Sequence, residues 1–223
     1  MKKALFIIFV EPFRILIYQI SHFMLFLFLF CYNRLTWRNK KNVPFKYKNG
    51  IILAANHSSN LDPPIVGTPF FRRIYFLAKK SLFKGVLGLW TKIVGGVSID
   101  RNETSPGSLK KILKLLKSGK TIVIFPEGTR SEDGELKKFR GGVGMIAKSS
   151  KAMIIPTFVK GNYKAFRKGK KFPSPKKITV YYGQPLEYSD LIKNEQKLDN
   201  KEVYQQISDR IYEKVKELKE KHD

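Results

Sequence analysis

Cysteine and histidine are both scarce in this chain of 223 residues, which contains one cysteine and three histidines. The single cysteine, Cys31, cannot form an internal disulfide, so nothing in the chain calls for an oxidising compartment. His22 and His222 lie far from His57 in the sequence, so no group of candidate ligands for a metal ion is present. We therefore expect no bound metal.

Several familiar catalytic motifs are also missing. The chain has neither the glycine-rich dinucleotide fingerprint nor the phosphate-binding loop of nucleotide enzymes. No Gly-x-Ser-x-Gly elbow surrounds Ser58 or Ser59, so we assign these serines to a loop and not to a covalent acyl-serine route. The sequence accordingly predicts no bound cofactor.

Acidic residues are few, with 18 Asp and Glu against 43 Lys and Arg, and the formal net charge is +25. A charge of this sign and size points to a polyanionic partner. Anionic lipid headgroups, a nucleic acid and an acidic carrier protein all fit that description. Charge alone does not choose between them.

The apolar run from Ile15 to Tyr32 helps to choose between these three classes of partner, because a nucleic-acid-binding protein rarely carries such a run. Its eighteen residues would reach about 27 Å as a helix, slightly short of a hydrocarbon core of about 30 Å. No small-residue cleavage site follows it, which argues against a secretory signal peptide. We expect a membrane-anchoring segment.

Basic residues on both sides of this run bear on its topology. They are Lys2, Lys3 and Arg14 before it and Arg34, Arg38, Lys40 and Lys41 after it. The positive-inside rule therefore gives no clear sidedness. Such symmetry favours a helical hairpin that dips into one leaflet over a single span, although a span stays open.

After a basic, polar segment at residues 34–48, short apolar runs alternate with helical patterns, which indicates an α/β domain. The predicted strands are residues 51–55, 75–78, 97–99, 121–125, 153–158 and 178–182. Their continuous apolar character predicts a mixed, largely parallel sheet that helices cover on both faces. We expect an anchor and linker at residues 1–48 and a catalytic domain at residues 49–223.

The first cluster of chemically capable residues runs from Asn56 to Pro64, directly after the first strand of that domain. Pro63 favours a helix start, which would put Asp62 near the N-cap and within reach of His57. A histidine held by a carboxylate is a standard general base near neutral pH. The alternative is that Asp62 only caps the helix and His57 is incidental.

Three further clusters follow at other strand ends, and each is weak by itself. Phe125 to Ser131 includes Glu127, Gly128 and Arg130; the glycine lets a ligand approach the backbone, and the arginine can grip a phosphate. This cluster could also be a turn closed by an ion pair. The remaining two are residues 95–101, which end in Arg101, and the proline-containing strand at residues 154–161.

Together, in this order and at these separations, the four clusters resemble the glycerolipid acyltransferase family. Its pattern is an Asn-His-four-residues-Asp block, a block ending in Arg, a Pro-Glu-Gly-Thr-Arg block and a proline-containing strand. The match covers about Ile51 to Gly161, and the most similar branch is the bacterial enzymes of phospholipid biosynthesis that make phosphatidic acid from lysophosphatidic acid. Val97-Ser98-Ile99 departs from the bulkier residues common there, which puts the substrate preference in doubt and not the chemistry.

The resemblance implies a role for each matched residue. His57 would be the base and Asp62 its partner, Arg101 and Arg130 would hold a phosphate, and Glu127 and Gly128 would shape the acceptor site. The implied reaction moves an acyl chain from a coenzyme A or acyl carrier protein thioester to the sn-2 hydroxyl of 1-acyl-glycerol-3-phosphate. The implied location is an anionic phospholipid membrane, at the cytoplasmic face of the plasma membrane, with no nucleic acid involved.

Two alternatives remain. One is an acyltransferase for another acceptor, such as glycerol 3-phosphate or a different lysolipid. The other is a non-catalytic, basic membrane-binding or nucleic-acid-binding protein, for which replacing His57 would change nothing measurable.

Overall fold

Seven strands form one mixed sheet in the computed structural model, which describes residues 2–99, 106–193 and 199–223. In chain order they are β1 (Thr36–Arg38), β2 (Ile51–Ala55), β3 (Ile74–Lys79), β4 (Gly96–Ile99), β5 (Thr121–Ile124), β6 (Met153–Lys160) and β7 (Thr179–Tyr182). Their order across the sheet is β1-β7-β6-β2-β5-β3-β4, and β6 through β4 run parallel to one another while β7 runs antiparallel to β6. The predicted α/β class with a largely parallel sheet is confirmed.

Helices surround the sheet in the described part of the chain. They are α1 (Lys2–Asn33), α2 (Asp62–Gly67), α3 (Gly85–Ile93), α4 (Pro106–Lys117), α5 (Gly142–Ser150), α6 (Asn162–Phe166), α7 (Ser189–Lys193) and α8 (Asn200–His222). Short 3₁₀ turns occupy Lys40–Asn42 and Lys80–Phe83. α8 begins with a capping box between Asp199 and Glu202, which satisfies backbone N–H groups at its first turn.

Alternate residues of the central strand β2 face two separate cores. Ile52 and Ala54 pack in the core beneath α4, α5 and α8, while Ile51, Leu53 and Ala55 pack in the core that includes residues of α1 and α2. All five residues of β2 are completely buried. Helices on both faces therefore explain why the buried strands read as unbroken apolar runs.

The N-terminal segment is a single helix, so the predicted helical hairpin is wrong. α1 continues without a break from Lys2 to Asn33, with Pro12 inside it, and no glycine or proline follows Pro12 before the helix ends. Without such a residue, nothing in the sequence reverses the chain direction. The stretch Ile15–Asn33 is long and apolar enough to cross a membrane, and only 17% of it is buried.

The basic segment at residues 34–48, predicted as a linker, contains regular structure. Thr36 to Arg38 form β1, which pairs in parallel with β7 at the edge of the sheet, and Trp37 packs against the core on the α1 side. Three residues are too few to show a strand periodicity, so the pattern does not reveal this strand. The domain boundary between residues 48 and 49 stays a prediction.

Candidate active site

The carboxyl ends of β2, β5 and β6 bring the main candidate residues to one edge of the sheet. β2 lies between β5 and β6, so the loops that follow these three strands are neighbours. The loop after β2 carries His57, the loop after β5 carries Glu127 to Arg130, and α6 follows β6 directly. This edge is where parallel α/β sheets commonly bind ligands.

His57 and Asp62 form a buried pair at this edge. His57 Nδ1 lies 2.8 Å from Asp62 Oδ2, and the side chain of Asp62 is completely buried. An ionised carboxylate can only accept hydrogen bonds, so Nδ1 donates its proton to Asp62 and the lone pair lies on Nε2. The sequence prediction that these two residues meet is correct in geometry, and the arrangement leaves Nε2 available to accept a proton.

Asp62 is held by three further donors. The backbone N–H groups of Ser58 and Ser59 each donate to Oδ2 at 2.8 Å, and the side-chain amide of Asn162 donates to Oδ1 at 2.8 Å. Hydrogen bonds of this number fix the orientation of the carboxylate. Asp62 thus has a defined position against which the imidazole ring is aligned.

Asp62 lies next to the N-cap of α2, as the sequence predicted. Leu61 occupies the N-cap of α2, and Asp62 is the first helical residue, followed by Pro63. Proline is tolerated there because the N–H groups of the first turn have no partner inside the helix. The loop still curls over Asp62, since Ser58 and Ser59 precede it by only a few residues.

The ring of His57 is also held in place by its neighbours. It stacks on Phe125, with ring centroids 4.2 Å apart and an interplanar angle of 18°. The backbone carbonyl of His57 accepts a hydrogen bond from Ser131 N–H at 2.7 Å. These contacts join the loop after β2 to the loop after β5, so the two motifs form one rigid unit.

Glu127 is buried beneath His57 and does not line an open acceptor pocket. Its Oε1 accepts a hydrogen bond from the backbone N–H of His57 at 2.9 Å, and only 3% of the residue is exposed. Burial raises the pKa of Glu127 to about 7, against the opposing effect of the His57 hydrogen bond. This carboxyl group therefore positions the loop that carries His57.

Gly128 and Arg130 follow Glu127 in the same turn. Gly128 has φ +75°, and a Cβ at this position would lie 3.3 Å from the guanidinium of Arg140, so the turn favours glycine for two reasons. Arg130 is half-buried, and its guanidinium forms no hydrogen bond or ion pair with the described residues. Arg101, the other predicted phosphate ligand, lies outside the described residues.

Two asparagines at the site were not among the predicted site residues. Asn162, at the start of α6, contacts Asp62 from a position 100 residues away in sequence. Asn56 exchanges two hydrogen bonds with the backbone of Val159 in β6, at 3.1 and 2.8 Å. The available signal was the position of both residues just past the ends of two strands, but the sequence does not say that β2 and β6 are neighbours.

An apolar groove of about 410 Å³ lies beside the pair, on the α1 side of the sheet. We define it by six of its lining residues: Tyr18, Leu25, Leu61, Ile74, Phe76 and Trp90. Leu61 and Pro63, which flank Asp62, both line it, so one wall of the groove is the segment that carries Asp62. Its chemistry suits an aliphatic chain.

Among the described residues, no three His, Cys, Asp or Glu side chains converge as a metal site would require. Asp62 already accepts four hydrogen bonds, so its carboxylate is committed. The arrangement is that of an imidazole oriented by a carboxylate, with Arg130 in the adjoining loop, next to Ser131. It can remove a proton from a hydroxyl group while the arginine holds an anionic part of the same substrate.

The chain is similar to several known proteins. The family model described as Acyltransferase matches residues 34–160. The 1-acyl-sn-glycerol-3-phosphate acyltransferase of Bacillus subtilis (strain 168) is 32% identical over 191 residues, covering 83% of this chain and 88% of that protein. The protein of the same name from Streptococcus pneumoniae is 28% identical over 187 residues, covering 82% of this chain and 66% of that one.

One solved structure has the same fold. The crystal structure of the 1-acyl-sn-glycerophosphate (LPA) acyltransferase PlsC from Thermotoga maritima superposes with a TM-score of 0.66 over 97% of this chain and 91% of that chain. The two sequences are 24% identical, so this likeness concerns the fold.

Proposed function

This chain belongs to the acyltransferase family, and we propose that it acylates the sn-2 hydroxyl of 1-acyl-glycerol-3-phosphate to give phosphatidic acid. The observation that carries the proposal is the buried hydrogen bond between His57 Nδ1 and Asp62 Oδ2, beside an apolar groove, with Arg130 in the adjoining loop. The names of the relatives from Bacillus subtilis and Streptococcus pneumoniae support the choice of acceptor.

His57 acts as the general base. Its Nε2 takes the proton of the acceptor hydroxyl while that oxygen attacks the carbonyl carbon of an acyl thioester. The carbon–sulfur bond then breaks, the thiol leaves with the proton returned from the imidazolium, and an ester remains. Asp62 stabilises the imidazolium that forms in between.

Binding of the acceptor contributes the rest of the rate enhancement. General base catalysis supplies typically about 10²- to 10⁴-fold, so positioning of the hydroxyl must supply much of the remainder. We assign the acceptor phosphate to Arg130 and, from the family pattern, to Arg101. Glu127 and Gly128 shape this site indirectly, because Glu127 holds the His57 backbone and Gly128 forms the tight turn before Arg130.

The acceptor reaches the site from a membrane. Exposed apolar side chains cover the outer surface of α1, among them Phe23, Met24 and Phe30, and the apolar groove opens between α1 and the catalytic loop. We propose that this surface rests on an anionic phospholipid membrane, at its cytoplasmic face, where the net charge of +25 favours binding. An acyl chain in the apolar groove would present a headgroup to His57.

No cofactor takes part in this mechanism. The acyl donor, coenzyme A thioester or acyl carrier protein thioester, is a second substrate that already contains the activated carbonyl. The protein supplies the base, the phosphate ligands and the apolar surface.

The test uses purified protein in detergent micelles with lysophosphatidic acid and each of the two thioesters. Thiol release and diacyl product are followed for the wild type and for His57→Ala. Product from the wild type with near-total loss in the variant, while vesicle binding is kept, is the expected result. Equal activity of the two proteins would exclude His57 as the base.

Two further variants sharpen the test. Ser58→Ala is the control, because Ser58 Oγ has no hydrogen-bond partner among the described residues and only its backbone contacts Asp62, so activity should be retained. Arg130→Ala should weaken turnover of lysophosphatidic acid far more than turnover of a monoacylglycerol, which has no phosphate. Wild-type turnover of glycerol 3-phosphate in preference to lysophosphatidic acid would reassign the acceptor.

A further inference from the structure

A second cavity adjoins the catalytic pair on the other side of the sheet. It has a volume of about 820 Å³, within the range of about 300–1,000 Å³ typical of small-molecule sites. Asn56 and Asn162 line one part of it; Asn56 precedes His57, and Asn162 donates a hydrogen bond to Asp62. Lys164, Lys176 and Lys177 lie on another part of its rim. We call it the lysine-rimmed pocket.

The charges around this pocket are not balanced. Five lysines line it, against three acidic residues: Lys160, Lys164, Lys176, Lys177 and Lys219 face Asp133, Glu135 and Asp223. Glu135 and Asp223 both pair with Lys219, and Asp133 accepts hydrogen bonds from two neutral donors, Ser131 Oγ and Glu135 N–H. The three rim lysines are exposed, and their ammonium groups have no hydrogen bond or ion pair with any described residue. The pocket therefore presents unneutralised positive charge that an anionic ligand would balance.

The position of the lysine-rimmed pocket bears on the kind of ligand that it can bind. Phe158 and Tyr181 line it and stack on one another, and Tyr181 also stacks on His222 of α8, so the pocket lies on the α8 side of the sheet. The apolar groove lies on the α1 side, where the exposed apolar side chains are. On the proposed function, a lipid acceptor arrives along the apolar surface of α1, whereas the exposed rim lysines make the lysine-rimmed pocket accessible to a soluble anion.

We propose that the lysine-rimmed pocket binds the phosphate of the phosphopantetheine arm of the thioester donor. This inference rests on the proposed function, because coenzyme A and acyl carrier protein share this arm and both are soluble anions. Lys176 and Lys177 bind the phosphate ester, and the linear arm runs along the pocket toward Asn56. The thioester then reaches the edge of the sheet where His57 lies.

The experiment compares three donors with the same acyl chain: the coenzyme A thioester, the carrier-protein thioester, and acyl-pantetheine, which has the arm but no phosphate. The variant is Lys176→Ala with Lys177→Ala. Its matched control is Lys110→Ala with Lys111→Ala, which removes the same charge from an exposed pair on α4. Lys176 bonds to its neighbours in the fold through its backbone N–H and carbonyl groups, which alanine leaves intact.

We expect KM for both phosphate-bearing donors to rise at least about tenfold in the variant, since each lost charge-assisted hydrogen bond weakens binding. KM for acyl-pantetheine and for lysophosphatidic acid should not change, nor should any constant in the control. An equal rise for acyl-pantetheine, or a rise confined to lysophosphatidic acid, would overturn the assignment.

The coenzyme A and carrier-protein donors respond differently if a part of the donor other than the shared phosphate makes the contact. A rise for the coenzyme A thioester alone would place its nucleotide phosphates in the pocket, and a rise for the carrier protein alone would indicate a protein surface contact; either result overturns the inference. An active wild type with unchanged KM in the variant overturns this inference and leaves the proposed function standing. A wild type that is inactive with all three donors overturns both.

Discussion

The two faces of the sheet differ in what they present to their surroundings. The α1 face has exposed aromatic and aliphatic side chains on the helix and an apolar groove beneath it. The α8 face is covered by helices whose outer surfaces carry charged residues, and its cavity is rimmed by lysines. Both cavities end at the same carboxyl edge, one beside Leu61 and the other beside Asn56.

This difference corresponds to the different solubility of the two proposed substrates. On the proposed function, a lysolipid from a membrane and a thioester donor from water must meet at His57. A sheet with an apolar cavity on one face and a charged cavity on the other allows each substrate its own approach. His57 and Asp62, which follow the central strand β2, lie where the two approaches converge.

The largest expected effect comes from a change in the His57–Asp62 pair. Asp62→Asn would place an amide where Oδ2 now accepts from His57 and from the N–H groups of Ser58 and Ser59. The amide cannot accept as many hydrogen bonds, so the imidazole loses its tautomer and its orientation. We expect kcat to fall about 10³- to 10⁴-fold with either donor.

A graded control accompanies this change. Asn162→Ala removes a single hydrogen bond to Asp62 Oδ1 and should lower kcat by about tenfold or less. Steady-state kinetics with both donors measures the two variants. If Asp62→Asn affected one donor and spared the other, the two approaches would not share a base, and the comparison of the two faces would fail.

Much of the arrangement around His57 and Asp62 could be predicted from the sequence. Residues 56–62 and 125–131 each combine a strand end with polar side chains, and the structure places both loops together through the His57–Glu127 hydrogen bond. The contact of Asn162 with Asp62 could not be predicted, because it depends on β6 lying beside β2. Strand order is a property of the whole fold and leaves no local signal in the chain.

The two predictions that the structure corrects, the helical hairpin and the linker at residues 34–48, also fail for physical reasons. The hairpin prediction rests on basic residues on both sides of the apolar run, but charge says only which ends avoid the hydrocarbon and not how many helices lie between. The absence of glycine and proline from residues 13–33 is the better indicator, and α1 is one helix. The sequence does not reveal β1, because its pairing with β7, and not its three residues alone, makes it a strand.

The next largest effect concerns Glu127, which is buried beneath His57. Its folded-state pKa is about 7 against an ordinary value of 4.5, so the protein binds this proton more tightly than the unfolded chain does. Wild-type stability is therefore fully retained below about pH 4.5 and decreases as pH rises toward 7. Relative to Glu127→Gln, we expect the wild type to lose roughly 3 kcal/mol of unfolding free energy across this range.

Urea unfolding at several pH values measures this difference. Asp190→Asn is the control, because Asp190 is exposed, and its hydrogen bonds with Arg210 hold its pKa below the ordinary value. The control should show no change in relative stability between pH 4.5 and 7. A flat difference for Glu127→Gln would mean that Glu127 stays ionised in the folded protein throughout.

The smallest effect tests the α1 face by itself. Phe23 and Leu27 are 57% and 43% exposed on neighbouring turns of α1. Replacing both by serine should weaken binding to vesicles by roughly 2 kcal/mol, or more than about tenfold, because less apolar surface leaves water. Co-sedimentation with neutral and with anionic vesicles measures binding, and activity in detergent micelles should be unchanged.

The matched control is Lys114→Ser with Lys117→Ser, two exposed lysines of α4. If the α1 face supplies apolar contact, the α1 variant loses affinity for both kinds of vesicle, while the α4 variant loses affinity for anionic vesicles at most. Unchanged binding of the α1 variant to neutral vesicles would show that exposed apolar side chains on this helix do not contact lipid. The two faces would then differ in composition without differing in use, and the separate approach of the lysolipid would have no support.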